Sequence, residues 1–101
     1  TKTKMETIKL TNNMIQDLIK ITNEMERFGS STIGSIQNRC SRKFDLAKEE
    51  VFHYTELLIA LGTAEKIKCQ GGDGWNTSYT YEEINLIMDA KEIHKDLFNY
   101  R

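Results

Sequence analysis

Arg39, Arg42 and Lys43 fall within Ser30–Phe44, a stretch that holds three basic residues and no acid. Guanidinium and ammonium groups segregated in this way suit phosphate oxygens. Ser30, Ser31 and Thr32 precede them. Their hydroxyls can cap a helix, and the free amides at its start make a second anion-attracting element. The bland alternative is a solvated helix face. His53 follows Glu49 by one turn, a spacing that could orient an imidazole, but no nucleophile accompanies the pair. The chain has no CxxC, no HExxH and no ligand spacing between His53 and His94, so no zinc site is expected. The GGDG run at 71–74 lacks the lysine of a phosphate-binding loop and the downstream glycine of a dinucleotide fingerprint. Calcium-loop spacing is absent as well. No catalytic, metal or cofactor residue is therefore expected, and the chain does not read as an enzyme.

These residues must be positioned by helices with clear punctuation. Thr11 or Asn12 can cap a first helix whose inward stripe is Met14, Ile15, Leu18, Ile19, Thr22 and Met25, ending at Phe28-Gly29. Ile33, Ile36, Cys40 and Phe44 form the inward face of a second helix, with Gln37, Asn38, Arg39, Arg42 and Lys43 outward. Asp45 is placed to cap a third helix, from about Ala47 to Leu61, with Val51, Tyr54, Leu58 and Leu61 inward. Gly62 stops it, since glycine takes the left-handed position after a helix without steric cost.

Beyond Gly62 the period changes. Ile67, Cys69, Tyr79 and Tyr81 can share one face of a hairpin, with Lys66 and Lys68 on the other. Asp73-Gly74 is a turn signal at its tip, beside Trp75. Tyr81-Glu82-Glu83 would open a last helix, its acids favourably placed at the N-terminus. Ile84, Ile87, Met88, Lys91, His94, Leu97 and Phe98 would lie near one stripe, with Ile93 and Tyr100 alongside. Residues 1–9, biased positive by Lys2, Lys4 and Lys9, read as a frayed terminus, with a basic arm or a short strand over Thr7–Leu10 as alternatives.

The segment RCSRKFDLAKEEVFHYTELLIALG, residues 39–62, places a small residue at the corner of two helices whose apolar stripes meet. With AEKIKC, QGGDGWN and TSYTYEEI beyond it, the chain resembles the winged helix-turn-helix superfamily of DNA-binding proteins. The resemblance implies a mainly α fold with a small β-hairpin, an α+β layout in one domain over 1–101. The helix-turn-helix would span about 32–62, the wing about 64–81 and the C-terminal helix about 82–100. It implies double-stranded DNA as partner. Arg39, Arg42 and Lys43 would hold phosphates, Lys48, Phe52 and His53 would face base edges, and Lys66 and Lys68 would line the wing. It implies a homodimer through the first and last helices. One-domain proteins of this kind resemble transcriptional repressors and the centromere-binding adaptors of plasmid and phage segregation.

Two features pull against that picture. The net charge is −1, so a phosphate-binding face requires charge segregation. The third helix carries Glu49, Glu50 and Glu56, and phosphates repel carboxylates. A protein-binding adaptor without DNA binding is the alternative, using Glu49, Phe52, His53 and Glu56 with Trp75. Cys40 and Cys69 read as reduced thiols of a cytoplasmic protein. No apolar run approaches the roughly 20 residues that span a bilayer, so no membrane partner is expected.

Overall fold

A computed structural model describes residues 8–72 and 78–101. The elements run α1 (Asn12–Phe28), α2 (Ile33–Phe44), α3 (Lys48–Ala60), β1 (Ala64–Gly72), β2 (Ser78–Leu86) and α4 (Ala90–Leu97), closed by a 3-10 turn at Phe98–Tyr100. This is a mainly helical α+β layout with one antiparallel hairpin, compatible with a winged helix. Ser31 adds a one-residue third strand at the hairpin base. Its amide donates to the Ile84 carbonyl at 3.3 Å and its carbonyl accepts from the Ile84 amide at 2.7 Å. The chain between α1 and α2 is thereby fixed to the sheet.

The local signals explain most helix ends. Thr11 Oγ1 accepts from the Met14 amide at 3.2 Å, and Thr32 Oγ1 from the Ser35 amide at 3.3 Å. Both are N-caps that satisfy amides with no partner inside the helix. Gly62, at φ +79°, is the left-handed residue that ends α3. Asp45 behaves differently from its expected role. It takes φ 57° and ψ 40° and ends α2 in the left-handed conformation. Aspartate tolerates that region better than most residues, and the tight corner needs one such position. Ala47 flanks the start of α3 instead, and Glu50 reaches back to accept from its amide at 3.1 Å.

Ile15, Leu18, Ile21, Ile36, Val51, Leu58, Ile93 and Leu97 are fully buried and form one core. The α1 stripe is wider than its sequence period suggested, because Ile21 is inside as well. On α3, Thr55 rather than Tyr54 is fully buried. Thr55 can go inside because its hydroxyl donates to the Phe52 carbonyl at 2.7 Å. Tyr54 lies half-buried and donates to Asp17 Oδ2 at 2.9 Å.

The largest departure concerns the last helix, expected from about 82. Residues 82–86 are strand, with Glu82 opposite Lys68, Ile84 opposite Lys66 and Leu86 opposite Ala64. Ile84 and Leu86 alternate onto the core side with Ala64, a period of two that outweighs the helical look of Glu82-Glu83. The helix starts only at Ala90, whose amide donates to Glu26 Oε2 of α1 at 2.8 Å. Its inward residues are Ala90, Ile93 and Leu97, while Ile87 and Phe98 remain exposed.

α4 packs on α1. His94 Nε2 lies 2.8 Å from Thr22 Oγ1, and the Thr22 hydroxyl also lies 2.9 Å from the Leu18 carbonyl. The Leu10 amide donates to the Tyr100 carbonyl at 2.7 Å. The stripe on α1 is thus covered largely within the protomer.

Candidate nucleic-acid interface

Helix α2 presents different side chains to its two neighbours. On the α3 side, Gln37 donates to the Lys48 carbonyl at 2.9 Å. On the α1 side stand two of the predicted cations. The Arg39 guanidinium lies 4.3 Å from the centre of the Phe28 ring and donates through Nη2 to Ser31 Oγ at 3.0 Å. Lys43 Nζ donates to Glu24 Oε2 at 2.8 Å. Arg42 is exposed. Arg27, at the end of α1, comes within 5.5 Å of the same Phe28 ring. Glu24, Arg27, Phe28, Arg39, Arg42 and Lys43 line one open groove of about 390 Å³.

Among the described residues, the groove holds four cations and one carboxylate. That carboxylate is occupied: the Glu24 side chain is 8 % exposed and bound to Lys43. Phe28 is half exposed between two guanidinium groups, an arrangement favoured by the ring quadrupole. The ring contact and the bond to Ser31 also restrict the Arg39 guanidinium before any ligand arrives. Arg39 Nε is buried without a partner. Arg39 and Lys43 are therefore partly committed to packing, and Arg27 and Arg42 are the more accessible pair. Behind the groove, burial and the nearby Glu24 carboxylate push the Cys40 thiol up to about 11, so it stays protonated.

Arg27 and Phe28 escaped the sequence reading. They sit on a different helix, and only the packing of α1 on α2 brings them beside Arg39. The faint signal was a basic residue in the last turn of a helix that ends at Gly29.

The remaining predicted residues gather elsewhere. Lys48 opens α3, and Phe52 and His53 are exposed on it with ring centres 5.7 Å apart. Lys66 projects from β1 toward α3 and pairs with Glu56 at 3.2 Å. Lys68 stands opposite Glu82 in the ladder. Ile33, Phe52, Glu56, Lys66, Glu82 and Ile84 line a cleft of about 130 Å³ between α3 and the hairpin. The lysine side of β1 thus meets acids.

The other hairpin face carries Ile67, Cys69, Tyr79 and Tyr81, as its alternation predicted, but these are not part of the core. Tyr79 lies flat across Gly71, where a Cβ would come within 2.5 Å of the ring. Lys2, Lys4, Asp73, Gly74 and Trp75 lie outside the described residues.

No family model, no curated protein and no solved structure matches this chain. Among the described residues, no group of three or more His, Cys, Asp or Glu side chains is arranged to hold a metal ion. Among them, too, no helix is long and apolar enough to cross a membrane.

Proposed function

We propose that the protein binds double-stranded DNA through its phosphate backbone, with the α1–α2 groove as the contact surface. The observation that carries this reading is the convergence of Arg27, Arg39, Arg42 and Lys43 around Phe28 in a chain of net charge −1. Charge segregation of this kind is what a near-neutral chain needs for polyanion binding. The layout compatible with a winged helix supports the same reading by analogy of fold alone.

Binding through this groove is weakly dependent on base sequence, because phosphates position a protein without specifying bases. Base readout by Lys48, Phe52 and His53 is no part of the proposal, since Glu49 and Glu56 share their surface of α3. A homodimer belongs to the reading, with Ile87 before α4 and Phe98 at its end as exposed apolar groups available to it. Two protomers on one duplex would double the number of phosphate contacts. A small repressor or a segregation adaptor would both use such a contact.

The test is titration of a mixed-sequence duplex by fluorescence polarisation at several salt concentrations, with light scattering on the same sample. Affinity should fall steeply with salt, by about 0.9 log unit per log unit of salt for each phosphate neutralised. Arg27→Glu with Arg42→Glu should weaken binding by more than tenfold at low salt. Unchanged binding in that variant would remove the groove from the interface. No binding by the parent protein at low salt would end the reading.

A further inference from the structure

We infer that the cleft between α3 and the hairpin is a docking site for a protein segment in which one aliphatic or aromatic side chain is flanked by Lys or Arg. The floor of the cleft is apolar: Ile84 is buried, Ile33 is half-buried, and Phe52 is 41 % exposed. An exposed phenylalanine beside a concave apolar floor is the usual form of an interface anchor.

The charges around it choose the partner. Glu49, Phe52 and Glu56 recur at spacings of three and four, so they form one stripe on α3 with an acid on either side of the ring. Glu82 faces them from β2. Glu56 and Glu82 therefore line the cleft beside Phe52, and Glu49 lies one turn before the ring on the same stripe. Lys66, the one cation lining the cleft among the described residues, is paired with Glu56. Lys68 lies across the ladder from Glu82, yet among the described residues no ion pair joins them. A cation from a partner can engage Glu82 and Glu49 while an apolar side chain covers Phe52. The same carboxylates repel a phosphate backbone, which makes this surface distinct from the α1–α2 groove. The inference does not rest on DNA binding.

The experiment uses the full chain and a fluorescein-labelled nine-residue peptide with Lys-Leu-Lys at its centre, plus the counterpart with Glu for each Lys. Polarisation should report saturable binding of the basic peptide only. Phe52→Ala should weaken it tenfold or more, and Glu82→Lys should weaken it comparably. Lys66→Met, which frees Glu56, should tighten it a few-fold. Phe52 and Glu82 are exposed, so both variants should unfold at the parent temperature, and Glu82→Gln serves as a milder second probe of the charge. Arg27→Glu with Arg42→Glu should leave peptide binding intact.

Equal binding of the acidic peptide would overturn the inference. So would no saturable binding, or binding indifferent to Phe52→Ala and Glu82→Lys. Light scattering that shows the cleft occupied by a second copy, with self-association lost in Phe52→Ala, would overturn it as well.

Discussion

The α1–α2 groove and the α3–hairpin cleft use similar residue types to opposite effect. In the α1–α2 groove an aromatic ring is enclosed by guanidinium groups, and the single acid is withdrawn from solvent by Lys43. In the α3–hairpin cleft an exposed aromatic ring stands beside two carboxylates, and the lining lysine is paired with Glu56. Each surface has an apolar centre, and the charge left over after pairing sets what each can attract. Counting lysines and arginines along the chain misses this. Lys66 and Lys43 both count as cations, but each is engaged by a neighbouring acid. The lesson concerns net local charge after pairing, which is a property of the packed structure.

Charge reversal in the groove should have the largest effect. Arg27→Glu with Arg42→Glu should reduce duplex affinity by more than tenfold at low salt. The same variant should retain its circular dichroism spectrum and unfolding midpoint, since both side chains lie on the protein surface. The reverse experiment sharpens the contrast: Phe52→Ala should leave duplex affinity within twofold of the parent. A large loss of DNA binding there would merge the two surfaces into one interface.

Lys43 should show its structural half when reversed. Lys43→Glu places a second carboxylate against the nearly buried Glu24. The expected cost is about 1–3 kcal/mol in denaturant unfolding. Glu24→Gln in the same chain should recover most of it. No destabilisation would mean that Lys43 belongs wholly to the ligand surface. By contrast, Lys66→Met breaks an exposed pair whose side chains are each about 40 % accessible. Its effect on stability should be about 0.5 kcal/mol or less and should vanish at high salt.

A pH experiment examines the frame on which both surfaces rest. Burial lowers the His94 pKa below the ordinary imidazole value, against opposing pulls from Glu26 and the Ile19 carbonyl. The unfolded chain therefore binds more protons than the native one in that region. Stability should fall as pH drops through the unfolded value of about 6.5, then level off below the native value. His94→Gln should flatten this part of the profile in thermal unfolding scans. An unchanged profile would place the titrating group elsewhere.

Much of the fold was legible because its signals are local. Thr11, Thr32, Gly29 and Gly62 mark helix ends through backbone hydrogen bonding and φ preference, which need no distant partner. Ile15, Leu18, Met25, Ile36, Cys40, Val51 and Leu58 mark inward faces through period. Cys69 and Tyr81 were correctly set on one hairpin face, because alternation along a strand is also local. The start of α4 was not legible. Glu82-Glu83 favours a helix start in isolation, but Ile84 is held by Ser31 and Leu86 by its place opposite Ala64. The true start at Ala90 uses an acceptor from Glu26, 64 positions earlier in the chain. Asp45 was misassigned for a related reason: aspartate suits both an N-cap and a left-handed corner, and the geometry of the α2–α3 junction chose between them.

The candidate site divides along the same line. Sequence alone determined that Arg39, Arg42 and Lys43 sit together on one helix without an acid, because residues three and four apart share a helix face. It also determined that Glu49, Phe52 and Glu56 share a face. Only the tertiary structure decided that Arg27 and Phe28 join the first group and that Glu24 and Glu56 engage Lys43 and Lys66. It also turned the lysine face of the hairpin toward α3, leaving Tyr79 and Tyr81 outside the core. Helical and strand periods fix directions within one element. Pairing across elements depends on which faces the core forces together, and that is settled by the joint burial of all the apolar stripes at once.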